Sequence, residues 1–244
     1  MLAVNVSLPS GCCKTLSLSH SSTVSDLKLL AQKSFGQGFL RLVTEEGRVL
    51  TDLMETLPSV IQDGEHLTAI AQQPKLAASC YAFAMWCCGG DRVVTWGHPS
   101  CGGDSSAVRG QLRNVQEIHA TVRAFAAILT DGSVVTWGDQ DRGGDSSAVQ
   151  DQLRNVQEIH ATLDAFAATL ADGSVVTWGN QTYGADSSAV QHQLRNVQLI
   201  QSTRHLGGSS GAFAAVLSDG SIVSWGDPSK GEVNSAVADQ ILYL

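Results

Sequence analysis

Three aspartates occupy equivalent places in a repeated phrase, GGDSSAV or GADSSAV, where a calcium loop is conceivable: Asp104, Asp145 and Asp186. Calcium loops collect several oxygen ligands, typically along a D-x-D-x-D pattern. The chain has no such pattern, and the phrase returns near the end without its aspartate, as GEVNSAV. We therefore interpret these carboxylates as turn-forming groups that hydrogen-bond the nearby backbone.

Histidine and cysteine, the other common metal ligands, are not arranged as a metal site. His119 and His160 occupy the same place in two repeats, but Gln201 occupies it in the next one. The six cysteines include two adjacent pairs and have neither C-x-x-C nor C-x-x-H spacing. We interpret them as reduced thiols, and we predict no metal site and no cofactor.

Nucleophilic and phosphoryl-transfer chemistry has no support in the sequence. No glycine-rich phosphate loop, G-x-S-x-G elbow or H-E-x-x-H motif occurs. Three arginines recur in the phrase QLRN: Arg113, Arg154 and Arg195. For these we favour a ladder across neighbouring units, paired with acidic residues, over phosphate binding. We predict no catalytic residue, and hence a protein that is not an enzyme.

Four tryptophans end related phrases (GDRVVTWG, DGSVVTWG twice, DGSIVSWG) and could stack on a sugar or cage a methylated lysine: Trp96, Trp137, Trp178 and Trp225. Each follows an apolar run and precedes a glycine. We therefore expect the indoles to pack between structural units. Binding specificity is predicted in the variable residues just after them, in GHPSC, GDQDR, GNQTY and GDPSK.

The spacing of these tryptophans, 41, 41 and 47 residues, indicates a repeat with a 41-residue period. The longer last step contains a glycine- and serine-rich insertion, residues 204–211, which we place in a loop. Within one unit, AFAAIL and VVTW flank an Asp-Gly turn, VQEIHAT predicts another strand, and SSAVQDQLRN is a weak fourth strand or irregular. The turn glycines, predicted to be structural, are Gly132, Gly173 and Gly220. Three or four antiparallel strands per unit fit one propeller blade.

Charge and hydropathy limit the partners. The net charge is -8, and the chain after Lys75 has 9 Lys and Arg against 16 Asp and Glu. This leaves no basic footprint for nucleic acid or for an anionic membrane. No apolar run approaches the roughly 18 residues that span a bilayer, and the start is a poor signal peptide. We expect an intracellular protein, cytoplasmic or nuclear.

The first 72 residues or so lack the repeat and have a different pattern of apolar and polar residues. Two alternating stretches, MLAVNVSL and KTLSLS, predict a hairpin, and Thr23 with Asp26 forms a capping-box pattern. This pattern predicts a helix over about Ser25 to Ser34. FLRLV, RVL and HLTAIA then read as strands, which makes an α+β domain with a linker around Pro74.

Both segments resemble known families. TVSDLKLLAQKSF, LRLVTEEGRVLTD and DGEHLTAIA resemble the ubiquitin-like β-grasp fold, and the recurring DG-x-V-x-x-WG pattern resembles the repeats of the regulator of chromosome condensation. The resemblances imply a β-grasp domain at 1–73, a linker at 74–79 and propeller repeats at 80–244. That family's usual propeller has seven blades. About four are expected here, in a partial or small propeller or in a fragment of a longer protein.

The β-grasp resemblance implies a partner-binding apolar patch at Leu8, Val43 and Ile70. A conjugated modifier would need a terminal di-glycine, and the chain has AQQPKLAAS there. We therefore expect a non-catalytic scaffold for protein partners, associated with the ubiquitin pathway. The alternatives are guanine-nucleotide exchange on a small GTPase through the propeller, or a fragment of a larger ligase like the HECT-containing relatives. An array without a specific ligand is a third possibility.

Overall fold

A computed structural model describes residues 1–87, 92–203 and 211–230. The chain divides into two units, Met1–Pro74 and Lys75–Leu244. Both units are mainly β, and their described residues form one four-stranded sheet in the first unit and four three-stranded sheets in the second. Within the described residues, no helix has the length and apolar character needed to cross a membrane.

The first unit is a four-stranded sheet with a helix packed on one face. Its elements are β1 (Leu2–Ser7), β2 (Cys13–Leu18), α1 (Val24–Phe35), β3 (Leu40–Thr44), α2 (Leu57–Val60) and β4 (His66–Ala71). The strand order is β2-β1-β4-β3, in which β1 and β4 run parallel and the outer pairs antiparallel. Alternating apolar side chains such as Val4, Val6 and Leu67 point to one face, where they pack with Leu27 and Ala31 of α1.

The predicted capping box at the start of α1 is confirmed. The Thr23 backbone N–H donates to Asp26 Oδ2 at 2.8 Å, and the Asp26 N–H donates to Thr23 Oγ1 at 3.4 Å. The helix ends at Gly36, whose φ of 64° is the left-handed conformation that glycine adopts at low cost.

The described residues of the second unit form four three-stranded antiparallel sheets, numbered first to fourth along the chain. Their strands are β5 (Pro74–Ala78), β6 (Ala82–Cys87), β7 (Val93–Gly97), β8 (Val115–Ala120), β9 (Ala124–Leu129), β10 (Val134–Gly138), β11 (Val156–Ala161), β12 (Ala165–Leu170), β13 (Val175–Gly179), β14 (Val197–Ser202), β15 (Ala212–Leu217) and β16 (Ile222–Gly226). The middle strand of each sheet is the AFA strand. The four predicted units are therefore four sheets of three strands, and residues such as Ser147–Val149 form a 3₁₀ helix in place of a fourth strand.

Three local expectations differ from the structure or fall outside it. The predicted strand RVL is reduced to an isolated bridge, in which Val49 pairs with Val43. The predicted linker at 74–79 is largely occupied by β5, which pairs with β6 in the first sheet. Proline is compatible with this place because the first residue of an edge strand need not donate to the ladder. Of the insertion predicted at 204–211, residues 204–210 lie outside the described residues.

The predicted Asp-Gly turn differs from the tight primed turn that an Asp-Gly pair favours. The Leu129 N–H donates to Ser133 O, and the Gly132 N–H donates to Leu129 O, both at 2.9 Å. The loop is therefore three residues long, and within it only Gly132 has a positive φ, 77°. The Asp131 carboxylate accepts the Ser133 N–H at 2.9 Å, which holds this longer turn in place.

Successive sheets of the second unit pack face to face. We call one side of each sheet the Phe-Trp face and the other side the alanine face. The Phe-Trp face of the second sheet, with Phe125 and Trp137, contacts the alanine face of the first, with Ala82 and Ala84. The second and third sheets, and the third and fourth, pack in the same way.

Candidate functional site

The recurring phrase of each repeat positions a tryptophan against the preceding repeat. Three indole Nε1–H groups donate to glycine carbonyls one repeat earlier: Trp137 to Gly102 at 3.0 Å, Trp178 to Gly143 at 3.1 Å and Trp225 to Gly184 at 3.0 Å. Each indole also stacks on the phenylalanine of its own sheet, at 5.1 to 5.3 Å between centroids. These three indoles are buried, so they cannot stack on a ligand.

The sequence analysis did not identify the glycines that accept these hydrogen bonds. A Cβ on Gly102 would lie 2.4 Å from Phe125 Cδ2, and one on Gly143 would lie 2.6 Å from Phe166 Cδ2. The phenylalanine ring therefore fits only over a residue without a side chain. The available signal was a glycine at the sixth place after each tryptophan.

Trp96 differs from the other three tryptophans. It stacks on Phe83 with 5.4 Å between centroids, as its counterparts do. Both rings are nevertheless exposed, because no sheet among the described residues covers this face of the first sheet.

Two of the three predicted turn glycines, Gly132 and Gly173, join neighbouring repeats. Gly132, Gly173 and Gly220 have φ between 76° and 83°. The Gly132 carbonyl accepts the Val156 N–H of the next repeat at 2.9 Å, and a Cβ on Gly132 would lie 2.8 Å from Asn155 Cα. Asn155 itself has φ of 55°, a left-handed conformation that asparagine tolerates. The asparagine of QLRN therefore has a backbone role that the sequence pattern did not reveal.

The variable residues after each tryptophan form a series of 3₁₀ helices at the same end of the stacked sheets. We call this end the rim, and its helices are Pro99–Cys101, Gln140–Arg142, Gln181–Tyr183 and Pro228–Lys230. A threonine before the middle strand of the same sheet anchors two of them, since Thr121 Oγ1 donates to Arg142 O at 3.0 Å and Thr162 Oγ1 donates to Tyr183 O at 2.9 Å. The frame is thus constant while the side chains that it presents change.

Four charged side chains on the rim form what we call the rim cluster: Arg123, Asp139, Arg142 and Asp164. Arg142 pairs with the buried Asp164, and its Nε lies 3.7 Å from Asp139 Oδ2. Arg123 Nη1 lies 3.9 Å from the same Asp139 oxygen, and its guanidinium stacks over Tyr81 at 5.3 Å. The hydrogen bond to Asp164 raises the pKa of Arg142, so the Arg142 guanidinium stays protonated.

A groove of about 470 Å³ lies beside the rim cluster, between the rim helices Gln140–Arg142 and Gln181–Tyr183. Its charged lining residues are all acidic: Asp141, Asp145 and Asp186. Hydrogen bonds from Ser147, mainly from its backbone N–H, lower the pKa of Asp145, and those from Ser188 lower the pKa of Asp186. The groove is therefore negatively charged, and Asp145 and Asp186 have the turn-forming role that we predicted for them.

The histidines and the QLRN arginines lie apart from the rim cluster. His119 Nε2 lies 3.8 Å from Glu117, and His160 Nε2 lies 3.3 Å from Glu158. Across residues 1–87, 92–203 and 211–230, no group of three metal-ligating side chains comes together. Arg154 pairs at 3.6 Å with Asp151 of its own repeat, so this ion pair does not form the predicted ladder between units.

The predicted apolar patch of the first unit is smaller than expected. Val43 pairs with Thr68 and Ile70 with Arg41, which places all four side chains on the outer face of the sheet. Ile70 is exposed and Val43 is half-buried. Leu8 packs against the core instead, because it continues the alternation of the core-facing residues of β1.

No family model and no curated protein matches the chain. Among solved structures it is similar to yeast RCC1 (Prp20) bound to Kap60, at 18% identity over 62% of this chain and 43% of that chain, with a TM-score of 0.41. Prp20p of Saccharomyces cerevisiae is 15% identical over 76% of this chain and 52% of that chain, with a TM-score of 0.43. The ectodomain of the receptor kinase CR4 of Physcomitrella patens is 15% identical over 70% of this chain and 43% of that chain, with a TM-score of 0.42. The chain spans about half the length of these structures.

Proposed function

We propose that the chain is a non-catalytic protein-binding protein whose second unit recognises a partner through the rim. One observation carries the proposal: the repeats hold a constant frame and change their side chains at the rim. Cys101, Arg142 and Tyr183 occupy one equivalent place, and Tyr81, Arg123 and Asp164 occupy another. A constant backbone with variable loop side chains is the arrangement that proteins use for recognition.

The partner that fits this rim has exposed basic residues. The groove beside the rim cluster has acidic residues and no lysine or arginine in its lining. The two arginines of the rim cluster are already held by Asp139 and Asp164. Charge complementarity then speeds the encounter and selects against acidic partners.

Affinity capture with charge-reversed variants tests this proposal. Asp141→Lys reverses an exposed rim carboxylate, and Asp151→Lys reverses an equally exposed carboxylate away from the groove. We expect captured partners to be lost with Asp141→Lys and kept with Asp151→Lys, and to elute as salt screens the charges. Equal capture by the two variants would refute recognition at the rim.

We also propose that the first unit is ubiquitin-like and links the chain to the ubiquitin pathway. The support is its order of hairpin, helix and two further strands, with a parallel central pair in a β2-β1-β4-β3 sheet. Its outer face offers Val43 and Ile70 to a partner. Pull-down with ubiquitin-receptor domains should weaken in Val43→Asp and Ile70→Asp, and unchanged binding in both would remove this proposal.

Nucleotide exchange on a small GTPase is the second candidate. The DG-x-V-x-x-WG pattern favours it, because that pattern resembles the repeats of the regulator of chromosome condensation. Among the similar structures, Prp20p is described with its binding to Gsp1p and histones. An exchange assay on a panel of small GTPases tests this candidate: accelerated nucleotide release that Asp141→Lys abolishes supports it, and no acceleration refutes it.

A further inference from the structure

The Phe-Trp face of the first sheet is an exposed apolar surface. Its exposed side chains are Leu76 (60%), Val94 (51%), Trp96 (43%) and Phe83 (40%). Their counterparts in the second sheet, Ile118, Val135, Trp137 and Phe125, are each exposed by 6% or less. Contiguous apolar surface of this kind marks a place where another molecule binds.

The three internal interfaces define what this surface is built to contact. In each of them a Phe-Trp face lies on the alanine face of the preceding sheet. The occupant that fits the first sheet is therefore another alanine face, with small side chains that admit the phenylalanine and tryptophan rings.

The fourth sheet carries such a face. Three side chains on its alanine face are partly exposed: Ala214, Val216 and Ile222. Their counterparts in the second sheet, which the third sheet covers, are buried: Ala126, Ile128 and Val134. The fourth sheet thus offers the half-interface that the first sheet lacks. It does not fill the gap within its own chain, because Trp96 and Phe83 remain exposed in the folded chain.

We propose that a second copy of this chain covers the exposed face, with the alanine face of its fourth sheet docked on the Phe-Trp face of the first sheet. This contact joins two different surfaces of the same chain, and it continues an interface already formed three times within each copy. Such head-to-tail contacts produce rings where the rotation closes and filaments where it does not.

Sedimentation velocity of the full chain, from about 1 to 200 µM, tests the proposal, since weak interfaces have micromolar dissociation constants. Val94→Arg places a charge on the Phe-Trp face and Val216→Arg places one on the alanine face. We expect the wild type to self-associate and each variant alone to be monomeric. Mixed together they should form a dimer, because the mixture retains one intact interface. Leu29→Arg is the control, since it introduces the same charge at an exposed apolar side chain of the first unit.

Circular dichroism checks that each variant is folded, and Ala214→Lys replaces Val216→Arg if the latter unfolds. Hydroxyl-radical footprinting of the wild type needs no variant, and Trp96 should become protected as concentration rises. A wild type that stays monomeric over the whole range overturns the proposal. So does a mixture without dimer, or self-association lost in Val94→Arg but kept in both alanine-face variants, which would mean that two Phe-Trp faces pair.

Discussion

At the scale of single residues, one arrangement recurs at three of the four tryptophans. The indole N–H donates to a glycine carbonyl of the preceding repeat, and the phenylalanine ring of the same sheet lies over that glycine. The sequence predicted the position of the indole between units, but it did not reveal the acceptor. The acceptor is 35 residues away for Trp137 and Trp178, and glycine is common in loops whatever its neighbours are.

A methyl group at one of these glycines should destabilise the second unit. Gly143→Ala puts a Cβ 2.6 Å from the Phe166 ring at a residue with φ of 96°. Steric overlap and left-handed strain together should lower the free energy of unfolding by about 2 to 4 kcal/mol. Gly110→Ala is the matched control, because a Cβ there meets no atom within 4 Å. Urea unfolding measures both, and equal midpoints would contradict this packing.

The tryptophans should respond differently to the same substitution. Trp137→Phe removes a buried indole and leaves the Gly102 carbonyl without its donor, which should cost about 2 to 3 kcal/mol. Trp96→Phe acts on an exposed ring and should change the free energy of unfolding by less than about 0.5 kcal/mol. Urea unfolding of dilute samples compares the two variants, and equal losses would show that Trp96 is covered.

The rim cluster shows what the sequence could not predict at this scale. Arg142 and Asp164 belong to different repeats. The equivalents of Arg142 in other repeats are Cys101 and Tyr183, and those of Asp164 are Tyr81 and Arg123. Periodicity gives no signal for a pair that occurs once. The sequence located the variable segment correctly, but the residue that completes the pair lies outside it.

At the scale of elements, we expect the Asp-Gly loops to make the second unit less stable in acid. The loop carboxylates are Asp131, Asp172 and Asp219. The serine hydroxyl two residues on, and then its backbone N–H, lower the pKa of each aspartate. A pKa lower in the folded state stabilises the fold above the ordinary value near pH 4, and this stabilisation is lost as pH falls through the lowered pKa.

We therefore expect the urea midpoint of the second unit to fall below about pH 4. The triple variant Ser133→Ala, Ser174→Ala, Ser221→Ala keeps the carboxylates but removes the largest cause of the lowered pKa values. It should lose less stability on acidification than the wild type. A wild type and a triple variant with parallel pH profiles would contradict this role of the loops.

The elements themselves were largely predictable. The predicted strand RVL forms only an isolated bridge, and the other two corrections have local causes. Alternation and the Asp-Gly signal located the hairpins, and the capping box located α1. The turn type differed because the Asp131 side chain competes for the Ser133 N–H. The sequence predicts a linker at the position of β5, because PKLAA begins with proline and lacks the polar alternation of its counterpart VQEIHA. Its pairing with β6 decides the structure there, and no local pattern reports that pairing.

At the scale of the whole molecule, the repeats combine a constant frame with a variable rim. The tryptophans, glycines and turn asparagines hold the sheets together, and the rim presents residues that change from one repeat to the next. The exposed Phe-Trp face adds a second surface, which the packing of the array itself creates. Near-identical repeats can therefore present distinct side chains without a change of backbone.

Site-specific photo-cross-linking tests the central claim, recognition at the rim, most directly. A photoreactive phenylalanine is placed in the full chain at position 141 on the rim, at 151 away from the groove, or at 70 on the first unit. We expect partner adducts from 141, at least about tenfold more than from 151, since contacts concentrate in a small patch. Adducts from 151 as abundant as those from 141, or adducts from 70 alone, would contradict the account.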